Sequence, residues 1–313
     1  MKDEIRRLLM DSGALAVGFA TAGEVDPDCR DSFKAWVRGG NHAGMAYLER
    51  HVNLRSHTDN VLPDAKTVIS LAYSYVPKTK RDARSSMIAP YAYGDDYHLV
   101  LREILKPRVE ELREKYGGKW RICIDSAPVA ERYWALKSGI GIKGLNGNVI
   151  VKGAGSFCYL AEVLTTLEIE ADAESAQVCE GCGKCVAACP GKALKADGLI
   201  DANLCINYLT IEKKGDFASA EGELTGKVGN SLYGCDLCMK VCPHNRCQKE
   251  TNIKSFLLRD EIRTLTPEEV MTMDEETFKR RFSRSPLLYA GYEKLKRNSE
   301  NLLKGYGHAV ERE

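Results

Sequence analysis

Two runs of cysteine account for most of the twelve in this 313-residue chain. The first reads Cys179-Glu-Gly-Cys182-Gly-Lys-Cys185-Val-Ala-Ala-Cys189-Pro190, and the second Cys235-Asp-Leu-Cys238-Met-Lys-Val-Cys242-Pro243. The C-x2-C-x2-C-x3-C-P spacing is that of chains holding two iron–sulfur clusters, in which the fourth cysteine of each run ligates the other cluster. The second run lacks a leading cysteine, and Cys205 upstream supplies one. The spacing therefore predicts one [4Fe–4S] cubane on Cys179, Cys182, Cys185 and Cys242. The other falls to Cys189, Cys205, Cys235 and Cys238. A tetrahedral zinc site would use two C-x2-C pairs and leave the third and the proline-followed fourth cysteine idle. Disulfides belong to oxidising compartments, and no apolar signal segment follows the charged start Met1-Lys-Asp-Glu-Ile-Arg-Arg. The chemistry expected is one-electron transfer through a pair of low-potential clusters.

The bulk numbers describe an ordinary folded protein, 44% hydrophobic and 28% charged, with net charge +1. Such a balance says nothing for or against nucleic acid. The charge is uneven, however: Lys279, Arg280, Arg281, Arg284, Lys294, Lys296, Arg297 and Lys304 make the last region basic. That pattern reads either as a solvated helical face or as a phosphate-binding one. No stretch approaches the roughly 18–20 apolar residues of a membrane span, so a cytoplasmic chain without a membrane role is expected.

Elements must position this chemistry, and the pattern divides the chain into three. Residues 1–172 carry mixed α/β patterning, 173–248 the cluster runs, and 249–313 a helical, polar segment. The fold class expected is α+β. In the first part, Met1–Ser12, Asp31–Val37 and Met45–His51 read as helical pieces, and Ala65–Val76 as a buried strand. Tyr97–Tyr116 has the apolar spacing of a long helix with one buried face, and Trp120–Asp125 reads as a short strand. Pro128 is placed to open a helix reaching Ser138. Val149–Val151 and Phe157–Thr165 look like a strand pair around the glycines of residues 152–156. The acidic stretch Glu168–Ser175 reads as a linker. Later, Pro267 and Pro286 mark the starts of helices over Glu268–Met273 and Leu287–Lys304.

A domain this size ahead of the clusters implies a second ligand. No G-x-G-x-x-G follows a strand, since Gly139-Ile-Gly141-Ile-Lys-Gly144 follows a helix, so no nicotinamide or flavin fingerprint is present. Asp125 is more informative. A carboxylate at a strand end before a helix is where ligand sites gather in α/β sheets, though Asp125 or Ser126 also suits a helix cap. Cys123 and Cys158 sit in apolar strands as small buried hydrophobes, leaving Cys29 and Cys247 without a role.

Several segments occur in an order that resembles epoxyqueuosine reductase: Val61-Leu-Pro63-Asp-Ala-Lys-Thr-Val-Ile, Tyr91-Ala-Tyr-Gly94-Asp-Asp96-Tyr97-His98, Asp125-Ser-Ala-Pro-Val-Ala-Glu131-Arg132 and Gly234-Cys235-Asp236-Leu-Cys238. With the cysteine runs and Arg297-Asn298, the resemblance spans nearly the whole chain. It implies reduction of the epoxide of epoxyqueuosine to an alkene at the wobble position of tRNA. It also implies a cobalamin reduced by the two clusters, as in the related reductive dehalogenases. Asp125 matches the family's proton donor, which would have to stay protonated through burial. Arg55, Tyr97, His98, Asp125, Arg132, Asn146 and Ser156 match cobalamin contacts, and Asp236 the place where cluster and corrin meet. The partners implied are the anticodon arm of tRNA and a low-potential electron donor, with the chain a monomer. Two departures stand out. Gly141-Ile-Lys143-Gly144-Leu145-Asn146 has leucine where the family has lysine. Longer members also carry a C-terminal helical-repeat domain, for which a chain ending at Glu313 has no room. The alternatives are a paralogous corrinoid reductase acting on another small substrate, or an electron-transfer module serving a partner's corrinoid.

Overall fold

The computed structural model describes residues 1–82, 85–228 and 230–306. Residues 307–313 of the C-terminal segment lie outside the described residues. In chain order the first part comprises α1 (Lys2–Met10), β1 (Ala16–Thr21), α2 (Pro27–Arg38), α3 (Ala46–Arg50), β2 (Thr67–Ser74) and β3 (Met87–Ile88). It continues with α4 (Tyr97–Tyr116), β4 (Trp120–Cys123), α5 (Glu131–Lys137), β5 (Gly141–Lys143), β6 (Val149–Val151) and β7 (Cys158–Thr165). Strands β1, β2, β7 and β4 form one antiparallel sheet in that order. β2 is buried along its whole length, and Val68, Ile69, Leu71, Ala72 and Tyr73 put apolar side chains on both of its faces rather than alternating with charged ones.

Side chains alternate between the two faces of the sheet. One face, with Ile69, Leu71, Tyr73, Tyr159, Ala161 and Val163, is covered by α1 and by Leu101, Leu105 and Val109 of α4. Each of the buried Ile, Leu and Val side chains among these contributes about 1.5–3 kcal/mol of transfer free energy. The other face, with Val68, Cys123 and Leu164, is covered by Trp134 of α5 and by Val129.

The cluster region is built of short pieces: α6 (Lys184–Ala187), α7 (Ile206–Ile211), α8 (Ser219–Glu223), β8 (Ser231–Tyr233) and α9 (Leu237–Lys240). Helices α10 (Asp260–Arg263), α11 (Pro267–Thr272), α12 (Glu275–Arg281), α13 (Leu287–Ala290) and α14 (Tyr292–Tyr306) follow. They share a core with Ile88, Ala92 and Tyr93, and β3 pairs in parallel with β8. The acidic linker is anchored to the sheet domain: Asp172 binds Arg6 at 2.8 Å, Lys2 at 2.9 Å and the Phe19 amide at 2.9 Å. Among the described residues no helix is long and apolar enough to cross a membrane.

Three expectations differ from the structure. The helix after Asp125 begins at Glu131, with Ala130 rather than Asp125 or Ser126 at its cap, so Pro128 lies in a loop. Val149–Val151 pairs with Gly141–Lys143, while Cys158–Thr165 lies between β2 and β4. As a central strand Cys158–Thr165 has its backbone donors and acceptors satisfied on both edges, by β2 and β4, which leaves no edge for Val149–Val151. The helix expected over Leu287–Lys304 is broken at Gly291, whose φ of +86° stops α13.

Candidate redox and proton-transfer site

The cysteines divide as two sets. Cys179, Cys182, Cys185 and Cys242 line one cavity, together with Gly144, Leu145, Asn146 and His244. Cys205, Cys235 and Cys238 lie close enough to one another and to Cys189 for their charges to interact. Burial pushes the Cys235 thiol up to about 11 and the Cys238 thiol to about 12. Among the described residues no three His, Cys, Asp or Glu side chains converge on one ion-sized point. Cys123 is buried, Cys158 partly so, and Cys29 and Cys247 are exposed.

A second constellation lies where α4 begins. Asp96 caps that helix, accepting the His98 amide at 2.9 Å. The same carboxylate oxygen holds His98 Nδ1 at 2.7 Å, and His98 Nε2 lies 3.2 Å from Asp125 Oδ2. One imidazole thus bridges two carboxylates. Burial alone would lower the His98 pKa, but its hydrogen bonds to Asp125 and Asp96 raise it to about 9. For Asp125 burial pulls upward, yet the His98 bond and charge, the Tyr97 hydroxyl and Arg55 hold it below its ordinary value. The same contacts that raise His98 lower Asp125, so within this pair the proton is favoured on His98, and the protonated Asp125 expected beside a corrin needs that further burial. Asp125, with 61% of its side chain exposed, stands at the open end of the chain of groups. Its backbone is left-handed, with φ +50°, and the Ser126 amide closes onto the Ile124 carbonyl around it. An L-residue in that conformation is strained by about 1–2 kcal/mol, least so for Asp or Asn.

The other nominated residues fall in different places. Tyr97 stacks on His98, with ring centroids 4.1 Å apart, and on Tyr159 at 4.5 Å. Arg55 donates to the Val129 carbonyl at 3.0 Å and its charge reaches Asp125 and Glu131. Arg132 is exposed. Asn146 lines the first cysteine cavity, as does Leu145, the position where lysine was expected. Ser156 is engaged by Asn245, at 2.7 Å from its amide, and Asn245 in turn donates to the Met239 carbonyl at 2.7 Å. Asp236 is buried between two cysteines, and burial raises its pKa to about 6. The corrinoid implied by the sequence carries amide arms that need isolated donors and acceptors. Arg55 Nε, Asn146 Nδ2 and Asp236 Oδ2 are buried without a partner among the described residues, so the residues present fit such a group in kind.

Sequence reasoning missed the tyrosines between these groups. Tyr75 lies 4.7 Å from Tyr159 by ring centroids, and Tyr159 stacks on Tyr97; the Asp236 charge reaches Tyr75 and Tyr159. Tyr73 faces Tyr159 in register across β2 and β7, so aromatic residues at alternate strand positions were the available signal. The basic C-terminal stretch, conversely, spends much of its charge internally. Lys279 pairs with Glu275, Arg281 with Glu269, Arg284 with Asp95 and Glu103, and Lys304 with Glu300. Lys294 donates to the Ile211 carbonyl, and Arg297 to those of Leu209, Lys213 and Gly215.

Residues 178–245 match a family model of a 4Fe-4S double cluster binding domain, and residues 55–126 match one of epoxyqueuosine reductase. An epoxyqueuosine reductase of Cyclobacterium marinum is 39% identical over 267 residues, 84% of each chain. The crystal structure of an epoxyqueuosine reductase with an epoxyqueuosine-modified tRNA-Tyr stem loop superposes with a TM-score of 0.90, 27% identity and coverage of 99% of this chain and 82% of that one. A Bacillus subtilis epoxyqueuosine reductase with its catalytic aspartate loop swung out of the active site gives a TM-score of 0.88 at 28% identity, covering 99% and 82%. This chain belongs to the epoxyqueuosine reductase family.

Proposed function

We propose that this protein reduces epoxyqueuosine to queuosine at the wobble position of tRNA, with Asp125 and His98 delivering protons to the departing epoxide oxygen. The Asp96–His98–Asp125 chain carries this reading. Opening the epoxide to an alkene and water consumes two electrons and two protons. Cobalamin, when bound, would supply a strongly reducing cobalt centre; Cys179, Cys182, Cys185 and Cys242, and Cys189, Cys205, Cys235 and Cys238, would hold the two [4Fe–4S] clusters that would provide single electrons.

The chain's own residues do the rest. Asp96 fixes the imidazole through Nδ1 and stabilises its charge, so that Nε2 presents a proton to Asp125. Asp125, at the exposed end, hands it to substrate and is reloaded from His98. Tyr97, packed between His98 and Tyr159, fixes the angle of the imidazole. Arg55, Asn146 and Asp236, with unpaired polar atoms, are the residues proposed to hold corrin amides, with Arg132 at the rim and Ser156 acting through Asn245. In this reading residues 1–172 form the corrinoid and substrate domain, residues 173–248 the cluster domain, and the helical segment after it closes the back. The relative solved with a modified tRNA stem loop supports the anticodon arm as substrate. The monomer works in the cytoplasm, where thiols stay reduced, with an external low-potential donor.

Anaerobic incubation of the protein, reconstituted with clusters and cobalamin and given a strong reductant, with epoxyqueuosine-containing tRNA tests the proposal. Nucleoside mass analysis should show queuosine accumulating. Unchanged epoxyqueuosine, with both clusters and cobalamin present, would overturn it.

A further inference from the structure

Beneath the Asp125 loop lies a second acidic group that the reaction as described does not use. Glu162 is at the centre of β7, fully buried, opposite Ser70 of β2 and Cys123 of β4. It points to the sheet face covered by α5, and its neighbour there is Glu131, the first residue of that helix. Glu131 reaches back to accept the Asp125 amide at 2.5 Å. Both carboxylate oxygens of Glu162 are buried and lack a donor among the described residues. Two ionised carboxylates offer acceptors only, so this pair closes into a hydrogen bond when one proton lies between them.

We propose that Glu131 and Glu162 share a single proton, and that this pair positions the proton-donating loop: Glu162 donates to Glu131, and Glu131 holds the Asp125 amide. The inference rests on the function proposed above. The groups facing the pair are few. Glu131 meets Asp125 from the loop, Arg55, and Arg132 of its own helix. Glu162 meets Ser70 and Cys123 from the flanking strands, Glu131 from α5, and the Asp125 charge. Burial pushes Glu131 up to about 7 and Glu162 well above its ordinary value, in keeping with one retained proton. The left-handed Asp125 backbone is costly by itself, and the Glu131 bond opposes its relaxation. The pair thus keeps the Asp125 carboxylate against His98, and loss of the bond frees the loop to turn outward. Both glutamates are positioning residues.

Infrared difference spectra of the cluster-loaded, full-length protein should show a protonated-carboxyl band near neutral pH that disappears in Glu162→Gln. A wild-type protein without that band, or a band surviving in Glu162→Gln, overturns the pair. In turnover, Glu131→Leu should lower kcat about 10²-fold, the order expected for a displaced reacting group, with KM for tRNA within about twofold. Glu131→Gln keeps a carbonyl acceptor for the Asp125 amide and turns an NH2 donor toward an ionised Glu162, reversing that bond's direction but preserving it, and should recover most of that loss. Glutamine performing no better than leucine, or leucine costing nothing, overturns the positioning role. If Glu131→Leu does not fold, Glu131→Gln and the infrared band still decide the matter. A wild-type enzyme that converts no epoxyqueuosine refutes the proposed function, whereas the band reports on the pair regardless.

Discussion

His98 joins structure to chemistry because its imidazole is held between two carboxylates, Asp96 at 2.7 Å and Asp125 at 3.2 Å. Its proton is bound more tightly folded than unfolded, the pKa rising from 6.5 to about 9. The stability it contributes is therefore full below about pH 6.5 and is lost as pH rises through about 9. Calorimetric melting should show the wild type weakening across that window and His98→Gln following a flatter curve. Asp125→Asn should retain both clusters and cobalamin, judged by iron content and the corrin spectrum. It should lose at least about 10²-fold in turnover, the low end for a proton-transfer group; a fully active Asp125→Asn protein would remove that carboxylate from the mechanism. Asp125 and His98 were nominated from motif resemblance, while the acidic pair beneath them went unseen. Glu162 in Leu160-Ala-Glu162-Val163 is a lone charge in an apolar strand, and only the register with Ser70 and Cys123 shows that it is buried.

Helix α4 and the segment before it set where Asp96 and His98 stand. Gly94 makes this approach feasible: a Cβ there would lie 2.3 Å from the Ser255 carbonyl oxygen and 2.6 Å from Phe256 Cα. Backbone on both sides cannot yield easily, so Gly94→Ala should cost about 1–3 kcal/mol, seen as a lowered Tm. By shifting Asp96 it should also lower the His98 pKa measured by NMR. Tyr97–Tyr116 was legible to the residue because its apolar spacing is local and Asp96 caps it. Strand partners were not. Val149–Val151 finds Gly141–Lys143 rather than the strand nearest it downstream, since pairing depends on which edges the rest of the sheet leaves open.

Across the complete chain the C-terminal helices act as structure as much as surface. Arg297 is half-buried, donates to the carbonyls of Leu209, Lys213 and Gly215, and lies 4.0 Å over the Phe217 ring. Arg297→Ala should destabilise by about 2 kcal/mol through unpaired carbonyls, measured by denaturant unfolding, with little change in the salt dependence of tRNA binding. Cys205→Ala should lose one cubane, about half the iron, whereas Cys247→Ser, at an exposed position, should lose none. The eight ligand candidates and the one-electron chemistry were determined by the sequence alone, because metal spacing is a local covalent property and the second set needed only one distant cysteine. The long helix and the buried β2 strand were equally local, written in side-chain period. Tertiary structure alone decided that His98 stands between Asp96 and Asp125, that Glu162 is fully buried and which basic residues are already paired. Those properties depend on distance and desolvation between residues far apart in the chain, and no spacing along the chain encodes them.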